Sequence, residues 1–122
     1  MTAKSTYLAD NLLDHTLRNE SYTAPTNVYL ALIKENGDEV DAGSYARQEI
    51  TFTAASNGET VNDGDITFPV AQEDWGNVTD GEIYDADSAG NMLYESVLDN
   101  SKDIETDDQF IVQDGEAKVT ES

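Results

Sequence analysis

The side chains with chemical potential in this 122-residue chain are overwhelmingly carboxylates, with 26 Asp and Glu against 6 Lys and Arg. Carboxylates serve as acid–base pairs, as metal ligands or as solvated surface, and spacing decides among these. The segment Asp85-Ala86-Asp87-Ser88-Ala89-Gly90 opens like a calcium loop, with Asp at its first and third positions and Gly at its sixth. Ala89 then stands at the fifth position and Ser96 where a bidentate Glu belongs. Asp85, Asp87 and Asn91 are therefore the weak candidates for a calcium site, and Asn62-Asp63-Gly64-Asp65 is an equally short second one. Asp, Asn and Gly are also what tight turns require for backbone reasons, so both segments read first as turns and no cofactor is expected.

Nucleophilic catalysis finds no residues. Cys is absent and His15 is the single His, which leaves Ser and Thr hydroxyls without a base; no G-x-S-x-G or HExxH pattern occurs. A glycosidase pair needs one carboxyl buried enough to raise its pKa, and abundance on a surface does not supply that. The chain reads as a non-enzyme with no catalytic residues. Trp75, the only Trp, is either a core plug with a satisfied indole N–H or an exposed platform on which a sugar stacks. It is the one candidate binding residue.

These residues must be positioned by a small set of elements. Leu8, Leu12, Leu13 and Leu17 recur at helical spacing between Ser5 and Arg18, which predicts a short amphipathic helix over 5–18 with Ser5 or Thr6 as N-cap. Asn27 to Ile33 is the most apolar run and predicts a central strand, apolar on both faces. Lys34 to Gly43, with Asn36-Gly37 and several carboxylates, reads as a solvated turn and loop. Ser44 to Ala55, with Ile50, Phe52 and Ala54 alternating, predicts a half-buried strand. Asn57-Gly58 and Asp63-Gly64 then bracket a loop. Asp65 to Ala71 alternates too, but Pro69 restricts it to an edge or a bulge. Extended segments follow at Val78 to Asp85 and Met92 to Leu98, on either side of a turn at Asp85 to Asn91. Asn100 to Asp108 reads as a polar loop anchored by Ile104. Asp114-Gly115 then predicts a two-residue hairpin joining Gln109–Gln113 to Glu116–Thr120. The expectation is a mainly β protein: one compact antiparallel β-sandwich of about seven short strands over residues 1–122, an N-terminal helix followed by a β-rich body over 27–120.

Composition bounds the surroundings. The charged fraction is 26% but the net charge is -20, far outside the magnitude of roughly 2–8 comfortable for a small domain. Salt shortens the Debye length from ~10 Å at 0.1 M to ~3 Å at 1 M, so the balance predicts a protein that works in molar salt, as in a halophilic host. The six basic residues are scattered singly, which argues against nucleic acid as a partner. No run of about 18 apolar residues is present, and the N-terminus MTAKSTYLAD lacks the apolar core of a signal peptide, so neither a membrane nor classical export is expected. Asn19-Glu20-Ser21 and Asn77-Val78-Thr79 match a glycosylation pattern short enough to arise by chance.

The order of the segments carries a resemblance. NLLDHTL, YTAPTNVYLALI, GSYARQEITF and then ITFPVAQEDWGNVTDGEIYDADSAGNMLYESVL resemble a family of small tailed-virus structural proteins, usually labelled phage tail fibre or minor tail proteins. The most specific pieces are GSYAR (Gly43 to Arg47), FPVA followed by DWG (Phe68 to Gly76) and IYDADSAGNMLY (Ile83 to Tyr94). The resemblance implies a non-enzymatic virion component made in the host cytoplasm, an exposed accessory of the tail or of the capsid surface (a decoration or turret). Its partners would be other capsid or tail subunits and further copies of itself. The acidity departs from bacterial-virus members and points to a virus of a haloarchaeon, and Asp80, Gly81 and Glu82 are more charged than the family tends to be. A host-surface module binding sugar through Trp75, or calcium through the Asp85 to Asn91 turn, is the alternative.

Overall fold

The computed structural model describes residues 2–121. Antiparallel strands and one helix form a sandwich-like fold in the order β1 (Thr2–Lys4), α1 (Thr6–Leu17), β2 (Val28–Lys34), β3 (Gln48–Ile50), β4 (Glu59–Val61), β5 (Ile66–Thr67), β6 (Gly76–Tyr84), β7 (Met92–Ile104), β8 (Ile111–Val112) and β9 (Lys118–Thr120). Five strands make the main sheet, ordered β1-β7-β6-β2-β3, and two short ladders, β4-β9 and β5-β8, make the rest.

The helix starts where the sequence predicts. Ser5 caps it, its hydroxyl accepting from the Leu8 amide at 3.1 Å, and Asn19 ends it with a positive φ of 57°. The four leucines do not form one stripe, however. At about 100° per residue, Leu13 lies some 140° around the helix from Leu8. Leu8 is buried and Leu12 packs against the core, while Leu13 and Leu17 face solvent.

β2 is apolar on both faces, with Leu30, Ala31, Leu32 and Ile33 all buried, and lies inside the sheet between β3 and β6. Directly opposed residues share a face, so the register Leu30↔Ile83 and Ile83↔Tyr94 makes one face apolar. Ala31↔Glu82 and Glu82↔Glu95 lie on the other. Asn36-Gly37 turns the chain back so that the Val40 amide bonds the Leu32 carbonyl at 3.0 Å; Val40, inside a segment expected to be solvated, is buried.

Four sequence expectations change. The strand predicted over 44–55 contracts to β3, because the segment before it is drawn into side-chain contacts described below. The loop between Asn57-Gly58 and Asp63-Gly64 contains β4, entered by a two-residue turn in which Asn57 and Gly58 both have positive φ. β7 does not stop at Leu98: after an irregularity in which Thr79 alone faces Leu98 to Ser101, it resumes opposite β6 and ends at Ile104, paired with Gly76. The Asp114-Gly115 hairpin does not form; β8 pairs β5 and β9 pairs β4. Asn62 is the physical reason. Its buried amide donates to the Gln113 carbonyl at 3.0 Å and accepts from the Ala117 amide at 2.8 Å. Those groups would otherwise extend the ladder beyond the Gln113–Glu116 turn. Pro69 behaves as expected, with β5 ending two residues before it.

The core gathers Leu8 from the helix, Leu30, Leu32, Ile83 and Leu93 from the main sheet, and Ile66, Phe68, Ala71 and Trp75 from the opposing segment. No helix among the described residues is long and apolar enough to cross a membrane.

Candidate functional site

GSYAR has no regular secondary structure, and the side chains of Ser44, Tyr45 and Arg47 reach segments elsewhere in the chain. Ser44 comes first: its hydroxyl accepts from the Trp75 indole N–H at 3.0 Å and from the Gln72 amide at 3.1 Å, and donates to Glu73 Oε1 at 3.0 Å. Tyr45 stacks on Phe68 with ring centroids 6.2 Å apart and meets the Trp75 ring edge-on at 5.4 Å. Its hydroxyl accepts from the Leu32 amide and donates to Glu39 Oε2 at 2.6 Å.

Arg47 closes the arrangement. Its guanidinium forms a two-pronged pair with Glu39, Nε to Oε2 and Nη2 to Oε1, both at 2.9 Å, and lies 3.8 Å from the centre of the Tyr84 ring. Nη1 donates to the carbonyls of Ala86 and Ala89, each at 2.9 Å. The Arg47 side chain is only 7% exposed, so this is a buried charge with its pairing complete, as such a charge requires. Burial alone would raise the Glu39 carboxyl, but the hydrogen bonds from Arg47 and Tyr45 and the guanidinium charge outweigh it and hold the group below its ordinary value. Burial, and then the Glu39 carboxylate, push the Tyr45 hydroxyl far up. Burial and the hydrogen bond to Glu82 push the Tyr84 hydroxyl up to about 12. These shifts belong to a locked network: the groups are held in one protonation state and are not poised to exchange protons near neutral pH.

The calcium-like loop is organised by the same arginine. Asp85 accepts from the Asn91 backbone and side-chain amides at 2.7 and 3.1 Å, closing the loop on itself. Gly90 sits with φ 76° so close to Asp85 that an added Cβ would lie 2.6 Å from Oδ1. The carbonyls of Ala86 and Ala89, oxygens a cation would use, already face the guanidinium. Asp87 is exposed, and with Asp85 it lines a shallow depression of about 250 Å³ beside Thr26, Asn27 and Tyr29. Among the described residues no three His, Cys, Asp or Glu side chains converge as a metal site would require. In the second candidate loop, Asn62 is buried and Asp65 accepts from the Asp114 amide at 2.8 Å. Trp75 is 3% exposed, so its ring is enclosed and presents no face on which a sugar could stack.

The larger concave surface lies elsewhere. A half-open groove of about 1040 Å³ runs between the apolar face of the main sheet and the β8–β9 segment. Leu30, Leu32 and Ile83 floor it, and Tyr94, Leu98, Phe110 and Val112 line its sides; Val97, on the Glu82–Glu95 face, and Ile111, opposite Thr67, border it with their side chains turned outward. Its size is at the upper end of the ~300–1,000 Å³ of small-molecule sites, but it is open along its length and holds no converging set of polar groups.

A family model described as Podophage GP4 fiber I protein gp80 matches residues 3–120. The chain belongs to this gp80 fibre family. No curated protein sequence matches it. Membership makes the chain a structural tail protein of a phage virion, associated with other virion components. Ser44, Tyr45 and Arg47 draw together GSYAR, the Phe68 and Trp75 segments and the Ala86–Ala89 loop.

Sequence reasoning placed Asp85, Asp87, Asn91 and Trp75 as candidates, named Asn62 only as the start of a second calcium-like loop, and missed Glu39 and Arg47. Arg47 was legible only within GSYAR, as the one basic residue inside a specific motif of an otherwise acidic chain. Neither the Glu39 pairing nor the clasp made by Asn62 gave a signal, because their partners lie 8 residues away in an irregular loop and 51–55 residues away along the chain.

Proposed function

We propose that this protein is a non-enzymatic structural component of the virion, an exposed accessory of the tail that is repeated in several copies and adapted to molar salt. The observation that carries the reading is the Arg47 centre. The most specific segments of the chain meet in a network whose buried polar groups all pair with one another, which is what a scaffold needs and leaves no group free to attack or protonate a substrate. The surface available for contact is apolar and open, suited to another protein. The net charge of -20 supports the salt adaptation, since close apposition of such chains requires screening.

The position is tested by gold-labelled antibody against the exposed 99–103 segment, applied to intact particles. Labelling concentrated on the tail is expected. Labelling confined to the capsid would make the protein a decoration instead, and particles that bind no antibody while the isolated protein does would contradict the reading.

A further inference from the structure

Residues 2–22 pack on the rest of the chain as an arm. β1 pairs along β7 in the register Ala3↔Glu95 and Lys4↔Tyr94, the Ser5 amide donates to the Leu93 carbonyl at 2.9 Å, and Leu8, Leu12 and Tyr22 pack in or against the core. Lys4 pairs with Glu121, whose other carboxylate oxygen accepts from the Tyr94 hydroxyl at 2.7 Å. The stretch after α1 stays with the helix, because the Glu20 amide bonds the Asp14 carbonyl at 3.2 Å and His15 Nδ1 donates to the Glu20 carbonyl at 2.9 Å.

The segment that joins this arm to β2 is held differently. Residues 23–27 belong to no helix or strand, and all but the half-buried Pro25 are exposed. Among the described residues, none of them makes a hydrogen bond. Such a segment changes direction at little cost. Pro25 steers Ala24 to extended backbone, and five extended residues span up to about 17 Å. Charge divides at the same place. Residues 1–22 hold two basic and three acidic side chains, a net of -1, so the other -19 falls on residues 23–122.

Resting on the reading of a repeated tail component, we propose that the 2–22 arm is exchanged between copies, the arm of one seating on β7 and in the Leu8 site of the next. The occupant fits because it is the segment that already fills this seat within one chain. Each hydrogen bond, ion pair and apolar contact that holds the arm is made again between two chains, and only the direction of residues 23–27 changes. Carrying a nearly neutral arm across adds little to the repulsion between copies, and salt screens the approach of the acidic bodies. Opening the arm uncovers Leu8, Leu12 and the edge of β7, so exchange is slow between free molecules and is favoured where copies stand side by side on a symmetric particle. Each copy gives one arm and receives one, which links neighbours into rings or rows without a new interface.

The absence of Cys makes the test clean, and Ala3 and Glu95 are exposed and directly opposed. Ala3→Cys in one preparation and Glu95→Cys in another are held together at high protein concentration in 2 M KCl under mild oxidation, with the fold of each checked by circular dichroism. Formation of the mixed disulfide is followed. A rate at least tenfold above that of a control pair, Ala3→Cys with Glu35→Cys, is expected, since random collision serves both pairs and only exchange brings residue 3 of one chain onto β7 of another. A rate equal to that of the control pair overturns the proposal, because each arm then stays on its own β7. Were the chain found on tails while the two rates stayed equal, arm exchange alone would fail and the structural reading would stand.

Discussion

Asn62 does more for this fold than its size implies. Its side chain bonds the carbonyls of Gly64 and Gln113 and the amide of Ala117, and its own backbone N–H and carbonyl pair with Ala117 and Gly115. Two Asp-Gly turns far apart in sequence are thereby clasped, reinforced by Asp114 Oδ1 accepting from the Gly64 amide at 2.7 Å. Asn62→Ala removes three hydrogen bonds to backbone groups, of which the Gln113 carbonyl keeps the Glu116 amide. At about 1 kcal/mol for each bond lost, a loss of roughly 2–3 kcal/mol is expected, read as a lower midpoint in urea unfolding. Glu82 shows the opposite situation. Burial first, then the charges of Glu95, Asp80 and Glu39, raise its carboxyl, and the hydrogen bond from Tyr84 only partly opposes them. A carboxyl raised in the folded state is a cost that appears as pH rises through its folded pKa and vanishes below the unfolded value. Glu82→Gln should therefore stabilise the protein by up to ~1 kcal/mol at neutral pH and low salt, and the gain should disappear below the ordinary carboxylate range. Equal gains at pH 3 and pH 7 would show that charge is not the cause.

At the scale of elements, the sequence was legible wherever a local pattern and the tertiary demand agreed. β2 reads as a strand buried on both faces and is one; α1 begins at its Ser5 cap; the Asn36-Gly37 and Asp85 to Asn91 turns occur as turns. Legibility failed where a distant side chain overrode a local preference. Asp114-Gly115 has the residues of a tight hairpin and does form a turn, but Asn62 engages the flanking groups and sends β8 and β9 to different partners. Ser44 to Arg47 sits ahead of an alternating stretch, yet the hydroxyl, ring and guanidinium of Ser44, Tyr45 and Arg47 find partners elsewhere in the fold, which outweighs the strand pairing forgone. β7 outruns its apolar pattern because Ile104 returns to the core after the irregular Leu98 to Ser101 stretch. In the candidate site the motif was visible as a string of residues, but its role as a hub was not, since nothing in the spacing of Glu39 and Arg47 announces a two-pronged pair. The leucines of α1 illustrate the remaining ambiguity: helical spacing alone does not separate an inward row, Leu8 and Leu12, from an outward one, Leu13 and Leu17, offset from it by five positions.

At the scale of the whole molecule, net charge dominates: the acidic surface repels further copies at low ionic strength, and salt relieves that repulsion. Raising KCl from 0.1 M to 2 M should stabilise the isolated protein, by self-repulsion relieved within a Debye length that shrinks from ~10 Å to under ~3 Å. Thermal unfolding measured at both concentrations, with sucrose as a neutral control, reads this directly, and an unchanged midpoint would remove the salt adaptation from the account. The central claim, that the chain is a repeated structural part of the tail built around a locked Arg47 centre, is tested most directly by electron cryomicroscopy of intact particles. Symmetry-related copies of this fold on the tail, with the GSYAR segment closed on Glu39 and the Ala86–Ala89 loop, are the predicted result. A tail traced at chain resolution without this fold would contradict it.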